Sequence, residues 1–129
     1  MSAGVASILS ECKRANVRRF VMQSGIGLSD GRELSCGSRL VVRLSGRIFT
    51  AAVADKAVAE RMTQKMDMEW VIVRPVAMAD RPAKGRYTAG PLARVAVLIP
   101  LSFDDCADCL LRAATAEPNW IGKIVNVGS

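Results

Sequence analysis

Two strand-like runs of this sequence end in polar residues, at the positions where parallel sheets bind their ligands. The first run, 17–24, has a short apolar centre and ends at Ser24, and the second, 70–75, stays apolar until Arg74 and stops at Pro75. Ligands of open α/β sheets bind beyond the carboxyl ends of the strands, so these three residues are candidate ligand contacts. Each also has a structural interpretation, because a small serine can end a strand against a helix and a proline can stop one.

The cysteines offer a second possible chemistry. Cys106 and Cys109 form a C-x-x-C pair, which as a redox motif requires a helix N-terminus and a low thiol pKa. A zinc site would need a second ligand pair, and Cys12 and Cys36 do not have that spacing. Because Cys106 falls on the apolar face of a predicted helix, packing in the core is the favoured interpretation.

Histidine is absent from the sequence. This excludes histidine acid–base catalysis, Ser-His-Asp triads and histidine-ligated metal sites. We therefore predict no metal site.

The elements that would position these residues alternate between helix and strand. Apolar spacing predicts helices over 2–15, about 40–44, 49–66 and from Ser102 towards Pro118, and strands over 17–24, 70–75 and 123–127. Loops are expected over 25–37 and 79–92, the latter with a short strand at 86–88, and a further strand is expected over 93–99. This order indicates an α/β fold with a parallel sheet.

Finer features follow from the same periodicity. Asn16 suits a left-handed C-cap at the end of the first helix, and Ser102 suits the N-cap of the last. The 49–66 helix is expected to turn its apolar residues inward and to leave Glu60 in solvent.

Length and charge limit the class of protein. The 129 residues fit one domain, 1–129, and carry a net charge of +6. The basic residues are scattered with little aromatic interleaving, so a solvated surface is favoured and a nucleic-acid partner is not expected. No apolar run approaches the ~20 residues of a membrane span, and no secretory signal is visible, so a cytoplasmic location is expected and a membrane partner is not.

Six segments in this order resemble the C-terminal part of the atypical short-chain dehydrogenase/reductases, the NAD(P)H-binding group that includes NmrA-like and biliverdin reductase B-like proteins. The segments are Asn16–Ser24, Ala54–Glu60, Met68–Pro75, Gly85–Thr88, Phe103–Asp108 and Gly122–Val127. The resemblance implies a partial Rossmann-like three-layer α/β sandwich with a mainly parallel sheet, whose first βαβ half is missing. The glycine-rich fingerprint that holds the pyrophosphate of the dinucleotide belongs to that first half.

The resemblance also implies a set of cofactor contacts. In this family the serine equivalent to Ser24 lies beside the nicotinamide, and the lysine equivalent to Lys56 contacts the ribose. The segment of Arg74, Pro75 and Val76 runs along the carboxamide. Lys56 has an alternative interpretation as a solvated helix lysine that pairs with Glu60 at i+4.

One departure from the family pattern concerns activity. The superfamily's catalytic tyrosine stands four residues before the lysine, where this chain has Ala52, and the single tyrosine, Tyr87, lies in a distant loop. The resemblance thus implies an NAD(P)-dependent oxidoreductase-like domain acting on a small molecule, with no catalytic residue assigned. The alternatives are a non-catalytic dinucleotide-sensing or interaction module, and a truncated gene product.

Absence of the neighbouring first strand would leave the 17–24 strand as an apolar edge, so self-association or marginal stability is expected.

Overall fold

The computed structural model describes residues 2–26, 36–48 and 50–129 of the protein. The helices are α1 (Ser2–Arg14), α2 (Cys36–Ile48), α3 (Thr50–Gln64) and α4 (Phe103–Thr115), with a 3₁₀ turn at Pro118–Trp120. The strands are β1 (Arg19–Gln23), β2 (Glu69–Pro75), β3 (Met78–Ala79), β4 (Thr88–Pro91), β5 (Leu101–Ser102) and β6 (Lys123–Gly128).

The main sheet has four strands in the order β1-β2-β6-β4. The first three are parallel, with Gln23 opposite Val73 and Pro75 opposite Val127, and β4 runs antiparallel to β6. The short strands β3 and β5 form a separate parallel pair. The predicted α/β class with a mainly parallel sheet is confirmed.

Helices cover both faces of this sheet. Val5 and Leu9 of α1 and Ala59 of α3 pack with Ile72 on one face. Val71 and Val73, the neighbours of Ile72 in β2, point to the opposite face and pack with residues of α4. Successive side chains of a strand alternate between faces, so an unbroken apolar run in β2 supplies both cores of a three-layer arrangement.

The predicted helix ends are confirmed by their hydrogen bonds. Asn16 has a φ of 55°, and the N–H of Val17 donates to the carbonyl of Cys12 at 2.9 Å, which closes a Schellman motif after α1. Ser102 is the N-cap of α4, where its Oγ accepts a hydrogen bond of 3.0 Å from the N–H of Asp105.

Several predicted elements differ from the structure. The strand over 93–99 is wrong, because this segment is irregular and its Val95 and Val97 are buried without a strand partner. Burial of Val95 and Val97 alternates with exposure of their neighbours, and this alternation does not require a paired strand. The strand expected at 86–88 begins instead at Thr88, and the helix expected near 40–44 extends over 36–48. Residues 27–35 of the predicted loop lie outside the described residues.

The buried face of α3 also differs from the prediction. Ala59, Glu60 and Thr63 are buried, whereas the Met62 expected in the core is only partly buried. Glu60 is 3% exposed, so its expected solvent position is wrong. None of the helices in the described part of the chain has the length and apolarity that a membrane crossing requires.

Candidate functional site

A buried polar cluster lies at the carboxyl ends of β1 and β2. Ser24 directly follows β1, and its N–H donates to the carbonyl of Val73 at 2.7 Å. Its Oγ donates to Glu60 Oε2 at 3.0 Å. Arg74, near the end of β2, donates to Glu60 through Nη2 at 2.8 Å and through Nε at 3.2 Å. Glu60 of α3 therefore joins the two polar residues that the sequence placed at separate strand ends.

This cluster, Ser24–Glu60–Arg74, is nearly closed to water. The side chains of Glu60 and Arg74 are 4% and 15% exposed, and Ser24 is 5% exposed. A buried carboxylate requires a paired and hydrogen-bonded charge, which the forked guanidinium supplies in a planar geometry. In the described part of the chain every buried side-chain nitrogen and oxygen has a hydrogen-bond partner. The cluster thus holds the ends of β1 and β2 in a fixed relation to α3.

Lys56 lies beside this cluster. A Cβ built on Gly25 would stand 3.6 Å from Lys56 Nζ, so the ammonium group lies close to the backbone that follows Ser24. Lys56 and Glu60 are one helical turn apart, yet Glu60 binds Arg74 and Ser24. The interpretation of Lys56 as the i+4 partner of a solvated Glu60 is therefore wrong. Lys56 remains half-buried at the carboxyl edge, where it can donate to a ligand.

Pro75 and Val76 contribute through their backbone. Both residues are buried, and the side chain of Val76 belongs to the core that packs against α4. The N–H of Val76 donates to the carbonyl of Val127 at 3.1 Å, and proline has no N–H to donate. These residues therefore contribute backbone to the carboxyl edge of the sheet, while their side chains do not extend into the space beyond it.

Glu60 is the residue that sequence reasoning missed. Seven of the nine residues before it are alanine or valine, and a charged residue in such a helix is normally assigned to solvent. The available signal was Arg74, a cation at the end of a strand otherwise apolar, which requires a carboxylate if it is buried.

A comparison of the sequence with known protein families identifies the family of this chain. The sequence model of the NAD(P)H-binding family matches residues 1–117. The chain belongs to this NAD(P)H-binding family. No curated protein sequence matches it significantly.

Solved structures share the fold of this NAD(P)H-binding chain. A short-chain dehydrogenase/reductase from Veillonella parvula, solved in complex with NADP, has a TM-score of 0.77 and 19% identity over 99% of this chain and 58% of its own. ChuY from Escherichia coli, described as an anaerobilin reductase, has a TM-score of 0.78 and 18% identity over 98% and 57%. The oxidoreductase ylbE from Lactococcus lactis has a TM-score of 0.73 and 18% identity over 98% and 52%. The chain thus spans just over half the length of these proteins.

The tyrosine of this NAD(P)H-binding chain is committed elsewhere. Tyr87 donates through its hydroxyl to Asp108 Oδ2 at 2.6 Å and accepts from Arg112 at 3.1 Å. Burial, together with the bond to Asp108, raises the pKa of Tyr87 to about 12. Ala52, four residues before Lys56, is exposed. No tyrosine therefore stands beside Lys56 in the cluster region.

The C-x-x-C pair is a core feature. Cys106 and Cys109 are 2% and 0% exposed, and burial raises the pKa of the Cys109 thiol to about 12. Burial raises the pKa of Cys106 as well, so neither thiol has the thiolate character of a redox motif. The described residues contain no group of three or more cysteines and carboxylates able to hold a metal ion.

Proposed function

We propose that this chain is the part of an NAD(P)H-dependent oxidoreductase that receives the nicotinamide end of the dinucleotide. The supporting observation is the buried Ser24–Glu60–Arg74 cluster beside Lys56 at the carboxyl ends of two parallel strands. Membership of an NAD(P)H-binding family supports the same ligand. When bound, the dinucleotide supplies the hydride, and the protein supplies binding and orientation.

The hydrogen-bond directions in the cluster support an acceptor role for Ser24. Its hydroxyl proton points to Glu60, so the oxygen lone pairs remain as acceptors. An acceptor at this edge suits the N–H groups of a carboxamide. Lys56 carries three donors and suits the hydroxyl oxygens of a ribose. Gly25 leaves the space beside the ammonium group without a side chain. These residues fit the nicotinamide riboside half of the cofactor.

Glu60 and Arg74 act in this proposal as positioning residues. The pair fixes the rotamer of Ser24 and the relation of β2 to α3 without contacting the cofactor. The solved structures that share this fold are nearly twice as long as the matched region. We therefore propose the oxidoreductase activity for a whole enzyme of which this chain forms one part. A glycine-rich strand–turn–helix is not found in ranges 2–26, 36–48 and 50–129, so the pyrophosphate contact is not assigned.

Titration with NADPH, followed by nicotinamide fluorescence, tests the cofactor site. We expect saturable binding by the chain and about tenfold weaker binding by Lys56→Met, since one charge-assisted hydrogen bond is lost. Lys13→Met is the matched control, because Lys13 is an exposed lysine near the end of α1. Absence of binding by the unmodified chain, or equal affinities of the two variants, would refute this site.

A non-catalytic dinucleotide sensor is the second candidate function. The exposed Ala52 and the engaged Tyr87 favour it, because they leave the described site without a tyrosine acid. NADPH oxidation followed at 340 nm with a small quinone acceptor separates the two functions. Turnover supports the reductase, whereas saturable binding with no turnover supports the sensor.

We also propose that the chain self-associates through β1. This strand has only β2 as a partner in the described sheet. The N–H of Ser24 points to β2, so by alternation the N–H groups of Val21 and Gln23 point to the open edge. Sedimentation velocity should show concentration-dependent dimers that Gln23→Lys weakens, because a lysine at an edge opposes strand pairing. Gln64→Lys, an exposed change on α3, should leave them intact; a monomer at all concentrations contradicts the proposal.

A further inference from the structure

A second cleft lies at the same edge of the sheet, beside the end of β6. It has a volume of about 430 Å³ and is lined by Lys84, Arg86, Tyr87, Thr88 and Ser129. Thr88 stands opposite Gly128, so the cleft opens where β6 ends. The cofactor contacts proposed above lie at the ends of the parallel strands β1 and β2, and β6 is the next strand of the same sheet. The cleft lies two to three strand spacings from Ser24 across the sheet and also beyond it along β6, so the two are about 15 Å apart.

The two cations of this cleft have no ion-pair partner in the described part of the chain, although the charge of Asp105 interacts with that of Lys84. Lys84 and Arg86 are both exposed, and Lys84 Nζ donates to Ser129 Oγ at 2.8 Å. No carboxylate of the described ranges forms an ion pair with either residue. Arg74 and Arg112, in contrast, are paired with Glu60 and Glu117. The lysine therefore keeps two donors, and the guanidinium of Arg86 keeps its planar fork, for an outside acceptor.

The loop that carries these two cations is anchored to helix α4 by hydrogen bonds. Asp105 of α4 accepts hydrogen bonds from the backbone N–H of Lys84 at 3.0 Å and of Gly85 at 3.2 Å. The next residues are fixed through Tyr87, whose hydroxyl binds Asp108 and Arg112. The guanidinium of Arg112 also lies 5.6 Å from the ring of Tyr87. Ligand binding thus requires little ordering of the backbone, which favours affinity.

From these observations we infer that the Lys84–Arg86 cleft binds an anionic group of the substrate. The acceptor would be a molecule with a carboxylate or a similar oxyanion, long enough to reach from the nicotinamide site to β6. Its role as a substrate subsite rests on the proposed function, while anion binding at the cleft does not. The cofactor phosphates are the other possible source of an oxyanion. Their position is less favourable, because the ribose-binding Lys56 lies on the β1 side of the sheet and the cleft lies on the β6 side.

Calorimetry with a matched pair of probes tests the cleft without any cofactor. Naphthalene-2-sulfonate carries one negative charge, and naphthalene-2-sulfonamide has a similar shape and none. We expect the full chain to bind the sulfonate about tenfold more tightly than the sulfonamide, through charge-assisted hydrogen bonds. The double variant K84Q/R86Q should lose this preference. Both replaced side chains are exposed, so the fold should be retained, and circular dichroism checks this.

The control variant R18Q/K123Q removes the same charge from exposed residues at the opposite, amino end of the strands. It should keep the preference for the sulfonate. Equal binding of the two probes by the unmodified chain, or a preference that persists in K84Q/R86Q, overturns the inference.

A titration of the same variants with NADPH separates the substrate from the cofactor. We expect K84Q/R86Q to bind NADPH with the same affinity as the unmodified chain. A loss of NADPH affinity equal to the loss for the sulfonate would assign the cleft to a cofactor phosphate and overturn the substrate role. If the unmodified chain binds no NADPH but prefers the sulfonate, the proposed cofactor site fails while the anion site is supported.

Discussion

Two buried carboxylates of this protein, Glu60 and Asp105, organise different kinds of partner. Glu60 binds side chains from two strands, the hydroxyl of Ser24 and the guanidinium of Arg74. Asp105 binds backbone, the N–H groups of Lys84 and Gly85. The two residues are 3% and 4% exposed, so burial alone does not distinguish them.

The difference lies in what compensates the negative charge. Glu60 depends on one specific cation, and removal of that cation would leave a buried charge without compensation. Asp105 lies in the first turn of α4, where the helix dipole favours an anion, and its backbone donors cannot be removed by substitution of a side chain. The Glu60 cluster should therefore be sensitive to single substitutions, and the Asp105 anchor should respond mainly to its own replacement and to pH.

Arg74→Met is expected to produce the largest effect. It leaves Glu60 buried without its cation, which should lower the free energy of unfolding by about 3 kcal/mol. Urea denaturation at pH 7 measures this. The matched control is Arg14→Met, because Arg14 pairs with Glu11 at 2.9 Å but both side chains are well exposed. That change should lower the free energy by less than about 1 kcal/mol.

The double variant Glu60→Leu/Arg74→Met sharpens the same test. Removal of both charges should recover much of the loss seen in Arg74→Met, since the penalty arises from the uncompensated carboxylate. If Arg74→Met lowers the free energy of unfolding no more than Arg14→Met does, burial does not determine the contribution of the Glu60–Arg74 pair. The proposed difference between Glu60 and Asp105 would then be wrong.

Asp105→Asn is expected to have a smaller effect that depends on pH. The backbone N–H of Lys84 is the main cause that lowers the pKa of Asp105 below its usual 3.8. A carboxylate with a lowered pKa stabilises the fold above its usual pKa, and this stabilisation is lost as the pH falls through the lowered value. The variant should therefore be less stable than the parent chain at pH 7 and should approach it in acid. A difference that does not change with pH would show that the charge of Asp105 has no part in the anchor.

Tyr87→Phe is expected to have the smallest effect. It removes one hydroxyl bonded to Asp108, so it should lower the free energy of unfolding by about 1 kcal/mol at pH 7. Because the pKa of Tyr87 is raised from 10.0 to about 12, the parent chain should lose stability as the pH rises between these values. Phenylalanine should remove the share of the alkaline dependence that comes from Tyr87 and leave the share of the buried Cys106 and Cys109 thiols, and thermal unfolding at several pH values measures the difference.

The sequence predicted local features better than it predicted contacts between distant segments. The Schellman motif at Asn16 and the cap at Ser102 were correct because each depends on residues within one turn of a helix. The central strand over Glu69–Pro75 was recognised because a strand covered on both faces is apolar throughout. The strand over 93–99 was wrong, since alternating burial does not require a strand partner.

The candidate site also has a part that the sequence predicted and a part that it did not. Ser24 and Arg74 could be selected from the sequence because strand ends are readable from the end of an apolar run. Their connection through Glu60 could not be read, because 36 and 14 residues separate the partners in the two hydrogen bonds.

The sequence by itself determined the alternation of helices and strands, the caps, and the resemblance to NAD(P)H-binding reductases, all of which depend on short-range patterns. The tertiary structure alone decided which charges lie together. It buried Glu60 against Arg74, placed Lys56 beside Gly25, and brought the loop of Lys84 onto Asp105. The physical reason is that electrostatic partners are selected by proximity in a medium of low dielectric constant, and the packing of strands and helices sets that proximity.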